Sequence, residues 1–381
     1  MYNNKNYMNK IYLDNNATTL IDKRVLDIIK DEKYPLNPSS MHSYGRIAKE
    51  KLFNARSTIA NFLKTKDENL IFTSGGTESA NSSIRGIAES NPKCHIISSN
   101  TDHSCVYNTL LYLQIKGVDV SLLPTGKKGF LDINKINDAI KPTTKIIVIS
   151  AVNSETGVKT DIEPIAKIAK EKDIHLIVDG VALLGKESFT IPDGISAMFF
   201  SSHKIHGPKG VGLIYLKSSI KNYTPLLYGG PQEMSKRSGT ENLQGILGFA
   251  KAIELLDEYM PASTKNMISL KDHFEKTLLS EIDISINGEG NKICNTSNIC
   301  FKNIDAQDLL ILLDQNGVLA SLGSACTSGS VIISRVLLNM GYDPKDARSS
   351  IRFSLCRNTT KEEIDKALEI IIKAVKKLYN L

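Results

Sequence analysis

The chain has 381 residues, 47 lysines and arginines against 41 aspartates and glutamates, a formal net charge of +6 and 41% hydrophobic residues. That length exceeds one small domain and suits two sharing an interface, with apolar content enough for a large core. The mild positive balance is spread over solvated faces such as 170–172 and 373–377. Neither direct nucleic-acid binding nor a membrane span of about 20 apolar residues is expected.

From about residue 70 short apolar runs alternate with longer amphipathic ones. The short runs lie at 70–73, 95–99, 118–123, 145–152, 175–178, 197–201 and 210–216, rich in Ile and Val and bounded by Gly, Asn, Asp or Pro. They read as buried strands. Helical stretches between them include 79–89 and 162–172. The alternation predicts an α/β fold, a mostly parallel seven-stranded sheet with helices on both faces. After about residue 255 the pattern changes to helix 263–281, short strands around 297–301, helix 306–316 and a closing helix 361–378. This reads as a smaller α+β domain. We expect a large domain over 15–255 and a small one from 1–14 together with 256–381. The N-terminal stretch MYNNKNYMNK lacks an apolar segment, so no signal peptide is expected. The six cysteines, Cys94, Cys105, Cys294, Cys300, Cys326 and Cys356, include no CxxC pair. A reduced, cytoplasmic protein is the expectation.

In open α/β sheets ligands bind at the C-terminal ends of the strands. After the run 70–73 comes Ser74-Gly75-Gly76-Thr77-Glu78-Ser79, opening a helix. Its glycines and free N–H groups suit an anion, although a plain helix cap accounts for the motif equally well when it is taken alone. After 95–99 comes Asp102-His103-Ser104, where the histidine suits a general base, a stacking ring or an ordinary loop. The run 175–178 ends in Asp179, a carboxylate that needs a cation unless it is a helix cap. The run 197–201 leads into Ser201-Ser202-His203-Lys204, a lysine placed to form a Schiff base. His203 and His206 have no carboxylate or cysteine at ligand spacing, so no metal is expected. Together an anion cup, a ring, a carboxylate and a lysine on successive strand ends are the parts that hold pyridoxal 5'-phosphate.

With these residues in view the chain resembles the cysteine desulfurases of the class V aminotransferase group along essentially its whole length. The matching stretches are YLDNNATT at 12–19, NPSSMHSYGR at 37–46, FTSGGTES at 72–79, DHS at 102–104, SSHKIHGPKGVG at 201–212, RSGTEN at 237–242, SLGSACTSGS at 321–330 and IRFSL at 351–355. The resemblance implies a fold type I pyridoxal-phosphate enzyme with these roles. Lys204 carries the cofactor, His103 stacks on its ring and moves protons, and Asp179 pairs with its pyridine nitrogen. Gly76, Thr77, Ser201 and His203 hold the phosphate, with Thr240 reaching in from the partner of a homodimer. Arg352 and Asn153 bind the substrate carboxylate. Cys326 takes sulfur from L-cysteine as a persulfide and delivers it to a scaffold or other sulfur-acceptor protein. Gly, Ser and Thr around Cys326 suit a sulfur carrier, where a small buried hydrophobe is the alternative.

Three positions depart from the family pattern. Ser154 stands where a second asparagine is usual, Ala182 where a glutamine is usual, and Cys356 where a glycine is usual. In the family the first two flank the phenolic oxygen of the cofactor. Each lost hydrogen bond is worth about 1 kcal/mol, so cofactor binding is expected to survive while rate or substrate shifts. A lyase or transferase of the same fold acting on another amino acid, or a degenerate non-catalytic binding protein, are the alternative readings.

Overall fold

The computed structural model describes residues 10–31, 36–323 and 333–379. Its strands in chain order are β1 (Ile11–Tyr12), β2 (Leu70–Thr73), β3 (His95–Ser99), β4 (Asp119–Leu123), β5 (Thr144–Ser150), β6 (His175–Asp179), β7 (Ile195–Ser201), β8 (Gly212–Leu216), β9 (Ile284–Ile286), β10 (Thr296–Phe301), β11 (Val318–Leu319) and β12 (Ser350–Ser354). Seven of them form one sheet in the order β2-β8-β7-β6-β5-β3-β4. All run parallel except β8, which is antiparallel to both β2 and β7.

The runs of Ile and Val are continuous because both faces of the sheet are covered. In β5, Ile146 and Val148 face one core and Ile147 and Ile149 the other, all at most 2% exposed. That is the period-2 strand pattern applied to two apolar layers. Helices Gly76–Ala88 and Ser104–Ile115 cover one face with Ile84, Ile87, Val106 and Leu110. Helices Ser43–Phe62, Ile162–Glu171 and Leu243–Tyr259 cover the other with Leu52, Ile59, Ile165 and Phe249. Alternation of strands and helices had not revealed Lys23–Lys30, Ser43–Phe62 or Leu243–Tyr259, which do not connect neighbouring parallel strands.

The remaining strands belong to smaller sheets. An antiparallel sheet β12-β10-β9 packs under helices Ala262–Glu281 and Lys361–Tyr379 through Phe274, Leu278, Ile364 and Ile371. β1 pairs in parallel with β11, Ile11 opposite Val318 and Tyr12 opposite Leu319. Asp14 bridges to Ser354 at the end of β12. No helix among the described residues is long and apolar enough to cross a membrane.

One buried ion pair ties a loop to the strand that leads into the glycine turn. Glu233, Met234 and Ser235 all have left-handed backbones, with φ of 47°, 58° and 60°. The Glu233 side chain, 1% exposed, meets Arg56, whose Nη1 lies 3.0 Å from Oε2. The Phe72 amide of β2 donates to the same oxygen at 2.8 Å. Removing one member of a buried pair strands the other charge. Glu233→Ala is therefore expected to lower unfolding stability by about 3–5 kcal/mol, read as a shifted midpoint in chemical denaturation.

Candidate active site

Five strands, β2, β3, β5, β6 and β7, deliver polar residues at or just beyond their C-terminal ends to one cavity of about 210 Å³. The 3-10 turn Ser202–Lys204 follows β7 directly and turns Lys204 into the cavity. Gly207 makes the return possible, since a Cβ there would lie 2.0 Å from Ser202 Oγ. Lys204 Nζ donates to the carbonyl oxygen of Ala17 at 2.9 Å and to that of Asn16. The N-terminal stretch thus supplies one wall of the site.

The anion cup lies at the end of β2. The helix begins at Gly76, earlier than the expected 79, so the N–H groups of Gly76 and Thr77 stand at its N-terminus. Its cap residue Gly75 offers no side-chain bond. Ser201 Oγ, which lines the same cavity, is buried without a hydrogen-bond partner. Gly212 lets β8 approach, because a Cβ there would lie 2.6 Å from Thr73 Oγ1 and from the Gly75 carbonyl carbon. Glu78 closes the turn, accepting from the Ser74 amide at 2.8 Å and from Arg237 Nε at 2.9 Å. Burial opposes its ionisation, but Arg237 and Ser74 outweigh burial and hold its carboxyl below the usual range.

Asp179 closes β6 and is 7% exposed. Its Oδ1 accepts from the Val181 amide at 2.9 Å. Burial pushes its pKa up to about 7, against the pull of the Val181 amide and Lys204. A carboxylate in that state favours a cationic hydrogen-bond donor. A lysine, a buried carboxylate with no cation among the described residues within bonding distance, a Ser201 hydroxyl with no partner among them and a helix N-terminus without a side-chain cap fit pyridoxal 5'-phosphate.

His103 is the N-cap of helix Ser104–Ile115, its Nδ1 accepting from the Cys105 amide at 3.2 Å. The neutral ring then carries its proton on Nε2. Burial, then the charges of Lys204, Arg335 and Arg352, lowers its pKa to about 4. At neutral pH it is an unprotonated base lining the cavity.

Arg352 comes from β12 and is 2% exposed. Its Nη2 donates to Asp14 Oδ1 at 2.8 Å and its Nη1 to the Ser154 carbonyl at 3.3 Å, while Nε is buried with no partner among the described residues. Asn153 lines the cavity, but much of its amide is engaged. Oδ1 accepts from the amides of Glu155 and Thr156 at 3.0 Å each, and Nδ2 donates to the Thr101 carbonyl at 3.0 Å.

Gly76, Thr77, His103, Asn153, Ser154, Asp179, Ser201, His203, Lys204 and Arg352 thus share one cavity. Thr240 is exposed and does not line that cavity in its own chain. Cys326 lies outside the described residues. Ala182 and Ser154 are both on the cavity wall, where they offer less donor capacity than the usual amides. Sequence reasoning missed Lys186 and Asn16. Lys186 is 4% exposed, donates to the Lys204 carbonyl at 3.1 Å and has its pKa lowered by burial. A charged residue after the apolar Val181–Leu184 run was the available signal.

The histidines set a pH dependence. His103, His203 and His206 all have pKa values lowered to about 4, burial being the first cause in each. An unfolded chain protonates histidine near about 6.5. Below that value the unfolded state binds protons that the native state refuses, so stability falls as pH drops from about 6.5 to about 4. Asp179 acts oppositely, because its carboxyl keeps a proton up to about 7 that the unfolded chain has already lost. Three groups outweigh one. The Tm of the cofactor-free protein is expected to fall between pH 6.5 and 4.5. His206→Gln should flatten that slope in parallel thermal scans.

The class V aminotransferase family model matches residues 11–367. A cysteine desulfurase of Nostoc sp. is 39% identical over 97% of this chain and 94% of its own length. A solved structure titled a NifS-like protein is 33% identical, with a TM-score of 0.90, 97% of this chain covered and 100% of that one. A second, titled SspA in complex with cysteine, is 32% identical with a TM-score of 0.82, covering 92% of this chain and 99% of that one. The chain belongs to the class V aminotransferase family, among its cysteine desulfurases.

Proposed function

We propose that the chain is a pyridoxal-phosphate-dependent cysteine desulfurase using Lys204, His103 and Cys326. The observation that carries this reading is the cavity in which Lys204 lies with a buried Asp179 and an unpartnered Ser201 hydroxyl. When bound, the cofactor withdraws electrons from the amino-acid carbon skeleton and makes the carbon–sulfur bond breakable. Asp179 would accept the ring N–H, and Gly76, Thr77, Ser201 and His203 would hold the phosphate. Arg352, with one nitrogen still unpartnered, takes the substrate carboxylate. His103, neutral at physiological pH, is the residue that moves the proton at the substrate carbon. The Cys326 thiolate attacks the cysteine sulfur. The carbon–sulfur bond breaks, a sulfur–sulfur bond forms, and the carbon keeps the electron pair and gains a proton. Cysteine and a thiol thereby become alanine and a persulfide, with no external oxidant.

The same reading includes a homodimer, a protein or scaffold that receives the sulfur, and a reduced cytoplasmic setting. The exposed Met41, Phe53 and Tyr228 support the dimer, as does Thr240 standing outside its own cavity. The division into a cofactor part, 15–255, and a smaller part, 1–14 with 256–381, belongs to it too. A second reading, action on a different amino acid, is favoured by one observation: Ser154 and Ala182 leave fewer donors on the cavity wall than the family's amides.

Borohydride is expected to fix the cofactor to Lys204, and peptide mapping checks it; a label on another lysine overturns the assignment. Cys326→Ser should retain the chromophore yet form neither persulfide nor alanine from cysteine. Continued alanine formation would show another route for the sulfur. Ser154→Asn with Ala182→Gln should lower the pH at which the bound chromophore loses its proton and raise cysteine turnover. A double variant that loses cysteine turnover but gains none of the titration shift would favour the second reading.

A further inference from the structure

Cys105 is a thiol on the wall of the cavity that the chemistry above leaves unused. His103 caps helix Ser104–Ile115, and the helix amide that its ring meets belongs to Cys105. Because that residue is a cysteine, a thiol arrives at the same ring nitrogen: Cys105 Sγ lies 3.0 Å from His103 Nδ1. Cys105 is half-buried and lines the cavity with His103, Lys204 and Arg352. Its helix neighbours Val106, Leu110 and Leu113 turn into the core instead. Thr109 Oγ1 donates to the Cys105 carbonyl at 2.7 Å, which holds this first turn in place.

The backbone decides which way the pair bonds. Nδ1 accepts from the Cys105 N–H at 3.2 Å, so in the neutral ring it carries no proton. The thiol beside it is therefore the donor, S–H to Nδ1, and the ring's own proton sits on Nε2. A ring in that state has one proton to give. Giving it away unaided leaves an anionic imidazole in a buried pocket, which is costly. Sulfur bears a negative charge far more readily. Lys204, Arg335 and Arg352 bring positive charge to the ring, which favours an anion at the pair.

We propose that Cys105 is a positioning residue that supplies His103 with a replacement proton: as the ring yields its Nε2 proton to the substrate carbon, the thiol passes its own to Nδ1. The carbon gains one proton, the ring stays neutral in its other tautomer, and the thiol becomes a thiolate that water reprotonates. Only bonds to hydrogen change, and no oxidant enters. This rests on the reading of His103 as the residue that moves the substrate proton.

Two measurements test it. In cofactor-free protein, alkylation of Cys105 by iodoacetamide at pH 7 is followed by peptide mapping, which separates it from the other cysteines. His103→Gln should slow labelling of Cys105 by about fivefold or more, because the thiol loses its proton acceptor. In cofactor-loaded protein, Cys105→Ala and Cys105→Ser are compared with the natural chain for alanine formation from cysteine. Both should lower kcat by about tenfold at unchanged KM and chromophore. Serine keeps a donor to Nδ1 but holds its proton too tightly to pass it on. A labelling rate that His103→Gln leaves unchanged overturns the proposal. So does a natural kcat in Cys105→Ala. Recovery in Cys105→Ser alone assigns the thiol to orienting the ring and overturns the proton supply. A changed KM or a lost chromophore assigns Cys105 to the cavity wall and overturns it as well. If the natural protein makes no alanine from cysteine, the desulfurase reading has failed, and labelling alone decides whether the two side chains share a proton.

Discussion

The buried Asp102 carboxylate is the post on which the site is mounted. Its Oδ2 accepts from Ser98 Oγ at 2.8 Å and the Ser99 amide at 3.1 Å, and its Oδ1 from Ser150 Oγ at 2.6 Å and the Ser150 amide at 3.0 Å. The ends of β3 and β5 are thereby locked together one residue before His103. Its carbonyl receives Arg335. A carboxylate so buried is stable only because every bond is made, the condition under which a polar network rigidifies its surroundings. The loop that carries His103, a strand pair and helix Arg335–Asn339 are therefore all tied to this one residue.

Around that post the cavity is over-supplied with positive charge. Lys204, Lys186 and Arg352 line it against Asp179, with Asp14 engaging Arg352 from behind. The depressed histidines follow from burial and this excess. Buried cations without matching anions are costly unless a ligand completes the set. A guest carrying a phosphate, joined by one carrying a carboxylate, restores balance.

Much of this was legible beforehand, and particular residues show why. Strands β2 through β8 were readable because two covered faces demand unbroken Ile and Val, and their ends named Asp179 and Lys204. The antiparallel sense of β8 was not readable, because hydrophobic pattern carries no direction. Asn153 was named through the family resemblance, and its role in shaping the 153–157 turn depends on where its own amide folds back. Lys186 escaped notice because its surroundings are made by distant chain, the Lys204 carbonyl among them. Thr240, like Arg352, was named through family resemblance, and its own chain leaves it exposed.

The pairing of β1 with β11 has a consequence in time. Ile11 hydrogen-bonds to the Gly317 carbonyl and Leu13 to that of Leu319. Asn16 and Ala17, whose carbonyls receive Lys204 Nζ, follow immediately in the chain. During synthesis Ile11–Leu13 must wait for Gly317–Leu319, about 300 positions further along, before their strand has a partner. Contacts so distant in sequence form late and slowly. The wall that aims Lys204 is thus completed only after the small sheet exists, so a truncated or half-made chain presents the lysine without its acceptors. The alignment of the Lys204 amine against these carbonyls therefore waits on completion of the fold rather than on emergence of the lysine itself.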